Sequence, residues 1–206
     1  MKKMPNAHAH LIFGKLFLEP LGDKNRRFLE PLGDKNRRFL ENYKITDFNT
    51  VNNNKKMINK IINNIDLDNF YFGCIIPDIN HISKLERRIT HFYDNNVFEF
   101  FEPKNRVEYS FCLGYGLHIK IDNLWKYNIR LKYNISLEEN LKIYDYLDYF
   151  LKKKYDIDYN YFKKHILKGN CDLLKKLNIN KKLCEEWKKR CINDNFVIFL
   201  SPLNVF

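Results

Sequence analysis

Residues 107–125, VEYSFCLGYGLHIKIDNLW, constrain the fold more than any other part of this chain. The stretch reads as a mostly apolar helix with few charges, and such a helix has to be buried against other elements. It carries His118 and Asp122, which lie four residues apart and therefore share one helix face. An ionised carboxylate beside an imidazole in a buried helix is costly unless a positive group compensates it, and a divalent metal ion is the most economical candidate.

Apolar residues at helical spacing, and residues that start or stop helices, recur along the chain. Few segments show the apolar–polar alternation of β-strands. The predicted helices run from after Asn6 to before Pro20, over residues 50–65, from a Ser136–Glu139 capping box to about Lys153, and over residues 180–191. The third of these has a predicted apolar stripe through Leu141, Tyr144, Leu147 and Leu151. The apolar tail after residue 194 fits either an extended or a helical structure. We therefore predict an all-α fold, a single-domain multi-helix bundle over residues 1–206 with a metal site in its helical core.

Residues 17–38 contain the string FLEPLGDKNRR twice in succession. The Pro and Gly in each copy disfavour one continuous helix and favour short helical pieces joined by turns. Two copies are fewer than a solenoid requires. We interpret the repeat as a tandem duplication that lengthens a surface connection.

Composition excludes several classes of protein. A chain of 206 residues, 45% hydrophobic and 30% charged, is neither disordered nor a membrane protein. No apolar run reaches the roughly 18 residues that span a bilayer. The N-terminal segment is interrupted by His8, His10 and Lys15, which a signal peptide does not tolerate, so a cytoplasmic location is expected.

The five cysteines are odd in number and form no CxxC pair. This pattern argues against both a disulfide framework and a cysteine-rich zinc module. We expect reduced, mostly buried thiols in a reducing compartment.

The net charge of +11, with a pI near 9.3, favours anionic partners such as nucleic acid, phospholipid head groups or phosphorylated small molecules. The excess of Lys, Asn, Ile, Tyr and Phe is equally what an AT-rich genome produces. Both explanations of the charge stay open at this stage.

Four strings, taken in order, resemble the zinc-dependent phospholipase C family, which is related to fungal single-strand-specific nucleases. They are MPNAHAHLIFG, FGCIIPD, THF and FCLGYGLHIKIDNLW, and the resemblance covers residues 4 to about 127. It implies an all-helical domain that holds a zinc cluster and hydrolyses phosphodiester bonds.

By position in those strings, Asp78, His91, His118 and Asp122 correspond to the ligands of one zinc ion. His10 corresponds to the N-terminal histidine, which would contribute to a second ion, with Asp122 as the bridge. The resemblance thus predicts one or two Zn²⁺ ions. The third ion of the family is not expected, because there is no histidine between Asp122 and His165.

The leading hypothesis is a zinc-dependent hydrolase acting on a phosphodiester in a phospholipase C-like manner. The ion would lower the pKa of a bound water, and Asp78 is the candidate catalytic residue that orients or deprotonates this water. The expected partner is a phosphate-containing substrate, either a phospholipid head group or nucleic acid.

Two alternatives remain. The Lys/Tyr interleaving in residues 124–134 and 151–164 would suit a nuclease acting on single-stranded nucleic acid, or it simply marks the solvated faces of amphipathic helices. A non-catalytic protein whose metal ion only stabilises the bundle is the other alternative.

Overall fold

Two helices packed at close range form the centre of the protein. The structure is a computed structural model that describes residues 7–18, 64–93, 96–155 and 158–193. Helix α2, Leu67–Ile75, packs along helix α5, Arg106–Trp125. A Cβ atom on Gly114 would overlap the carbonyl oxygen of Phe70, and one on Gly73 would overlap that of Phe111. Close helix packing therefore explains Gly114, one of the two glycines shortly before His118.

The remaining helices surround this pair. Helix α1 precedes it in the chain, and α3 and α4 lie between its two members; α6, α7 and α8 follow it. Short 3-10 segments follow α2 and α7, and a π-helical turn, Lys126–Arg130, follows α5. The surrounding helices are α1 (Ala7–Leu18), α3 (Arg87–Thr90), α4 (Val97–Phe101), α6 (Leu137–Tyr155), α7 (Tyr159–Lys168) and α8 (Lys181–Asn193).

Helix α2 ends in a way that shapes the candidate site. Its N-terminus is capped by the Asp66 carboxylate, which accepts from the Asn69 backbone N–H at 3.0 Å. Pro77 has no N–H and cannot continue an α-helix, so the chain tightens into the 3-10 segment Ile76–His81. The carbonyl oxygens at the end of α2 bond to side chains, Cys74 O to His118 and Ile75 O to Trp187. Helices α5 and α8 are thereby hydrogen-bonded to the C-terminal end of α2.

The all-α prediction is confirmed for the described residues, which contain no strand. The predicted helices near residues 7–18, 107–125, 137–153 and 180–191 are all present, and the capping box forms as expected, with Glu139 N–H donating to Ser136 Oγ at 3.2 Å. One part of the prediction for α6 is wrong: Leu141, which belongs to the predicted apolar stripe, is exposed. Residues 19–63 and 194–206 lie outside the described part, and with them most of the duplication, most of the predicted helix over residues 50–65, and the apolar tail.

The prediction of reduced cysteines is wrong for two of the five. Cys171 and Cys184 form a disulfide, with their Cα atoms 5.9 Å apart. The 3-10 segment Cys171–Leu177 packs against α8 and brings the two residues within bonding range, a proximity that spacing along the chain does not reveal. Cys74, Cys112 and Cys191 are buried, as predicted.

None of the helices in the described part of the chain is both long enough and apolar enough to cross a membrane.

Candidate metal centre

Four side chains from three elements converge beside the end of α2. Asp78 comes from the 3-10 segment, His91 follows α3 directly, and His118 and Asp122 lie on α5. Each offers one donor atom, and the four atoms all lie within 4.8 Å of one another. Asp78, His91 and His118 are buried, and Asp122 is partly exposed. The structure thus brings together the four residues predicted to share one ion, as a cluster that could hold a metal ion.

The separations between donor atoms suit a small tetrahedral ion. His91 Nε2 lies 3.5 Å from Asp78 Oδ1 and 3.3 Å from Asp122 Oδ2. His118 Nε2 lies 3.8 Å from Asp78 Oδ2 and 3.7 Å from Asp122 Oδ2. Ligands at about 2.0–2.1 Å from a tetrahedral zinc ion are about 3.3 Å apart. The four histidine–carboxylate separations, 3.3–3.8 Å, are close to that spacing.

The His118 ring is oriented by the backbone of α2. Its Nδ1 lies 2.7 Å from the carbonyl oxygen of Cys74, which can only accept a hydrogen bond. Nδ1 therefore carries the hydrogen, and the lone pair of Nε2 faces the two carboxylates. His118 Nε2 is buried and has no hydrogen-bond partner among the described residues. A metal-binding histidine with its other nitrogen bonded to a backbone carbonyl has this same arrangement.

The His91 ring is oriented in a similar way by its neighbour Thr90. The Thr90 hydroxyl donates to Arg87 O at 3.3 Å and lies 3.1 Å from His91 Nδ1, so it can accept a hydrogen bond from that nitrogen. His91 Nε2 is also buried, with no hydrogen-bond partner in the described residues. In these tautomers two nitrogen lone pairs and two carboxylates point at one another, an arrangement that a cation between them would stabilise.

The electrostatics of the cluster favour cation binding. Burial alone would raise the pKa of Asp78 and of Asp122, but the imidazole of His118 and those around it outweigh this and lower both pKa values. Burial and the neighbouring His10 lower the pKa of His118 to about 3, so this ring is neutral at pH 7. Burial opposes protonation of His91 as well, but Asp122 and Asp78 outweigh it and raise its pKa. The carboxylates that attract a proton to His91 would equally attract a metal ion.

Arg87 is the residue of the site that the sequence analysis missed. Its guanidinium bridges the two carboxylates, with Nη1 3.1 Å from Asp78 Oδ1 and Nη2 bonded to Asp122 Oδ2. The carboxylates outweigh the effect of burial and raise the pKa of Arg87. A divalent metal is therefore not the only compensation for the buried carboxylates. The string RRITH, which places Arg87 four residues before His91, is the signal that could have identified it.

His10 lies beside the four-residue cluster but outside it. Its Nε2 is 3.3 Å from Asp122 Oδ1, and its ring stacks on that of His118 at a centroid distance of 3.6 Å. Asp122 thus directs one oxygen toward His10 and the other toward His91 and His118. This is the arrangement that a bridging carboxylate would require.

The other three histidines are not among the four residues of the cluster. His8 is buried near Asp148, 3.8 Å away, and against the ring of Tyr159. His81 is 36% exposed, with Nε2 4.0 Å from Asp78 Oδ1. His165 pairs with Asp68 in the first turn of α2, at 2.6 Å.

Comparisons of the chain with family models, with curated proteins and with solved structures find no match in any of the three. The resemblance to zinc-dependent phospholipases C stays a prediction that rests on the four strings. The chemistry of the site has to be argued from its geometry.

Proposed function

We propose that the protein is a metal-dependent hydrolase that acts on a phosphodiester and uses Zn²⁺ held by Asp78, His91, His118 and Asp122. The single observation that carries the proposal is the convergence of two oriented imidazole nitrogens and two ionised carboxylates, all within 4.8 Å. Imidazole nitrogen and carboxylate oxygen are donors that zinc accepts readily, although other divalent ions also bind them.

Each protein group has a definite task in this proposal. When bound, the ion supplies Lewis acidity toward a phosphoryl oxygen and toward a water molecule. The carboxylate oxygen of Asp78 that does not hold the ion would accept a hydrogen bond from a water molecule at the site and orient it. Because the pKa of Asp78 is lowered, orientation is better supported than proton removal. The partial exposure of Asp122 gives the cluster a solvent-facing side where a substrate can approach.

A second ion belongs to the proposal at His10. His10 Nε2 and Asp122 Oδ1, 3.3 Å apart, would supply two of its ligands. Its role would be to neutralise phosphate oxygens next to the first ion. A stoichiometry of one or two ions per chain is therefore expected.

A nuclease is the second candidate, and one observation favours it. Lys126, the first residue of the π-helical turn that follows α5, places its ammonium group 5.9 Å from the Tyr93 ring and 5.0 Å from the Tyr127 ring. Both tyrosines are exposed. Exposed aromatic rings with an adjacent cation can stack bases and contact the phosphate backbone of a single strand.

A metal ion with a purely structural role is the third candidate. Four protein ligands complete a tetrahedral shell, as in structural zinc sites, whereas a catalytic ion keeps one position for water. The three candidates differ in substrate and in turnover, so one set of measurements separates them.

The test combines metal analysis with activity assays. Bound metal per chain is measured for the wild type, His118→Ala, Asp122→Asn and the control His165→Ala. His165 is a suitable control because its imidazole also pairs with a carboxylate, but outside the cluster. The same proteins are assayed on bis(p-nitrophenyl) phosphate, phosphatidylcholine micelles and single-stranded DNA. We expect His165→Ala to keep its metal and its activity, and the two cluster variants to lose both.

Each alternative outcome has a separate consequence. A wild type without bound metal would contradict the proposal that these four residues hold a metal ion. Metal without turnover of any substrate would favour the structural role. Turnover of DNA alone, with binding that weakens steeply as salt increases, would favour the nuclease.

A further inference from the structure

Arg87 binds the two carboxylate oxygens that the candidate ion would also need. Its guanidinium contacts Asp78 Oδ1 and Asp122 Oδ2. These are also the carboxylate oxygens near His91 Nε2, at 3.5 Å and 3.3 Å. The guanidinium and an ion coordinated by His91 would therefore share the same two oxygen atoms.

Two cations on one pair of oxygens repel each other strongly. A divalent ion and a guanidinium would lie within a few ångströms in a mostly buried site, where charge interactions are far stronger than in water. The carboxylates of Asp78 and Asp122 carry two negative charges against the single positive charge of the Arg87 guanidinium that contacts both, so one negative charge is left to balance. Adding a divalent ion while Arg87 stays in place would reverse that sign. Metal binding is therefore expected to release Arg87.

Arg87 is free to swing away from the carboxylates once it is released. Its side chain is 41% exposed, and it begins the four-residue helix α3 on the solvent side of the cluster. A guanidinium fork that fits a carboxylate also fits two oxygens of a phosphate. In the released position it would lie beside the ion with its N–H donors available to an anion.

We propose that Arg87 couples metal binding to phosphate binding: it competes with the ion for Asp78 and Asp122 and, when displaced, binds the phosphate group that the ion also holds. The proposal rests on the metal site of the proposed function and assigns its phosphate-binding residue. Coupling of this kind is reciprocal, so phosphate should tighten metal binding as much as metal tightens phosphate binding.

The test measures metal affinity and needs no turnover. Co²⁺ is titrated calorimetrically into the wild type, Arg87→Gln and Arg88→Gln, alone and with inorganic phosphate or dimethyl phosphate. Arg88 is the matched control, because it is the neighbouring arginine and pairs with Glu86 at 2.7 Å, away from the cluster. Arg87→Lys, which keeps the charge and loses the fork, provides a second variant if Arg87→Gln fails to fold.

In the wild type and in Arg88→Gln we expect phosphate to tighten Co²⁺ binding at least about fivefold. Without phosphate, Arg87→Gln should bind Co²⁺ about tenfold more tightly than the wild type, because the competing cation is gone. The effect of phosphate should disappear in this variant. Arg87→Lys should also lose most of the coupling. The response to dimethyl phosphate, compared with inorganic phosphate, shows whether a diester or a free phosphate is the better ligand.

Weaker or unchanged Co²⁺ binding in Arg87→Gln would overturn the inference, because the guanidinium would then support the ligands instead of competing with the ion. An undiminished phosphate effect in that variant would overturn it as well. Both results leave the proposed metal site intact. A wild type that binds no Co²⁺ and no Zn²⁺ overturns the proposed function and this inference together.

Discussion

Charged groups are buried both at Lys188 and in the four-residue cluster. The two places differ in how many of their buried polar atoms have hydrogen-bond partners. Lys188 is 1% exposed, and its ammonium group donates to Gly169 O at 2.5 Å, Leu167 O at 3.3 Å and Glu185 Oε1 at 3.1 Å. An ammonium group has three donors, so all of them are used. In the cluster, His91 Nε2 and His118 Nε2 have no hydrogen-bond partner in the described residues.

The contrast separates a structural role from a binding role. The Lys188 ammonium closes the C-terminal end of α7, where helix carbonyls need donors, and leaves nothing for a ligand. The cluster has more acceptors than the single guanidinium of Arg87 can satisfy. We infer that surplus acceptors around a small space, and not buried charge alone, mark the site that binds a cation.

The largest effect expected is on metal affinity. Asp122→Asn removes an ionised ligand and should weaken Zn²⁺ binding at least about 100-fold, beyond the 10–100-fold typical of groups that merely support a ligand. Lys188→Met should leave Zn²⁺ affinity unchanged. Competition with a metal indicator measures both values. Equal losses in the two variants would mean that the cluster and Lys188 do not differ as described.

A comparable effect, on stability instead of metal affinity, is expected from Gly114→Ala, which tests the packing that assembles the cluster. The added Cβ would overlap the Phe70 carbonyl of α2, and only a shift of the backbone relieves that overlap. The free energy of unfolding should fall by about 3 kcal/mol, at the upper end for overpacked cores. Urea unfolding measures the loss, and a metal titration shows whether the shift also loosens the site. A variant as stable as the wild type would contradict the close approach of α2 and α5.

Lys188→Met should destabilise the fold by about 2 kcal/mol, because the alkyl stem is kept while buried carbonyl acceptors lose their donor. The same urea experiment measures this loss, carried out with a chelator so that metal binding does not contribute. If Lys188→Met leaves the free energy of unfolding unchanged, water replaces the ammonium group.

The smallest effect concerns pH. The pKa of His118 is lowered to about 3 in the fold, against about 6.5 in an unfolded chain. Below pH 6.5, His118 binds a proton in the unfolded state but not in the folded state. The free energy of unfolding of the metal-free protein therefore decreases as the pH falls, by about 1 kcal/mol between pH 6.5 and 5.5. The raised pKa of His91 adds no loss there, since its stabilisation approaches its full value as the pH falls below 6.5 and is lost only at higher pH.

Asp78 and Asp122 add no slope in that window either, because their lowered pKa values give a stabilisation that is lost only below about pH 4. Unfolding of chelator-treated wild type and His118→Ala at the two pH values measures the difference. A wild type whose stability falls no more than that of His118→Ala would show that His118 is not held neutral.

Local signals predicted most of the helices correctly. Helix α5, the capping box of Ser136 and Glu139, and the helix ending before Pro20 all follow from spacing and from residues that start or stop helices. The exposed Leu141 and the Cys171–Cys184 disulfide were mispredicted. Both depend on which element packs against which, and periodicity along one segment does not contain that information.

Within the candidate site, the sequence already implied that His118 and Asp122 share a face of a buried helix, because the spacing of side chains on a helix is set by local backbone geometry. Its motifs also pointed to Asp78, His91 and His10. Tertiary structure alone decided that Cys74 O and Thr90 orient the two imidazoles and that Arg87 spans the carboxylates. Those contacts depend on packing between α2, α3 and α5, where the approach at Gly73 and Gly114 sets the distances.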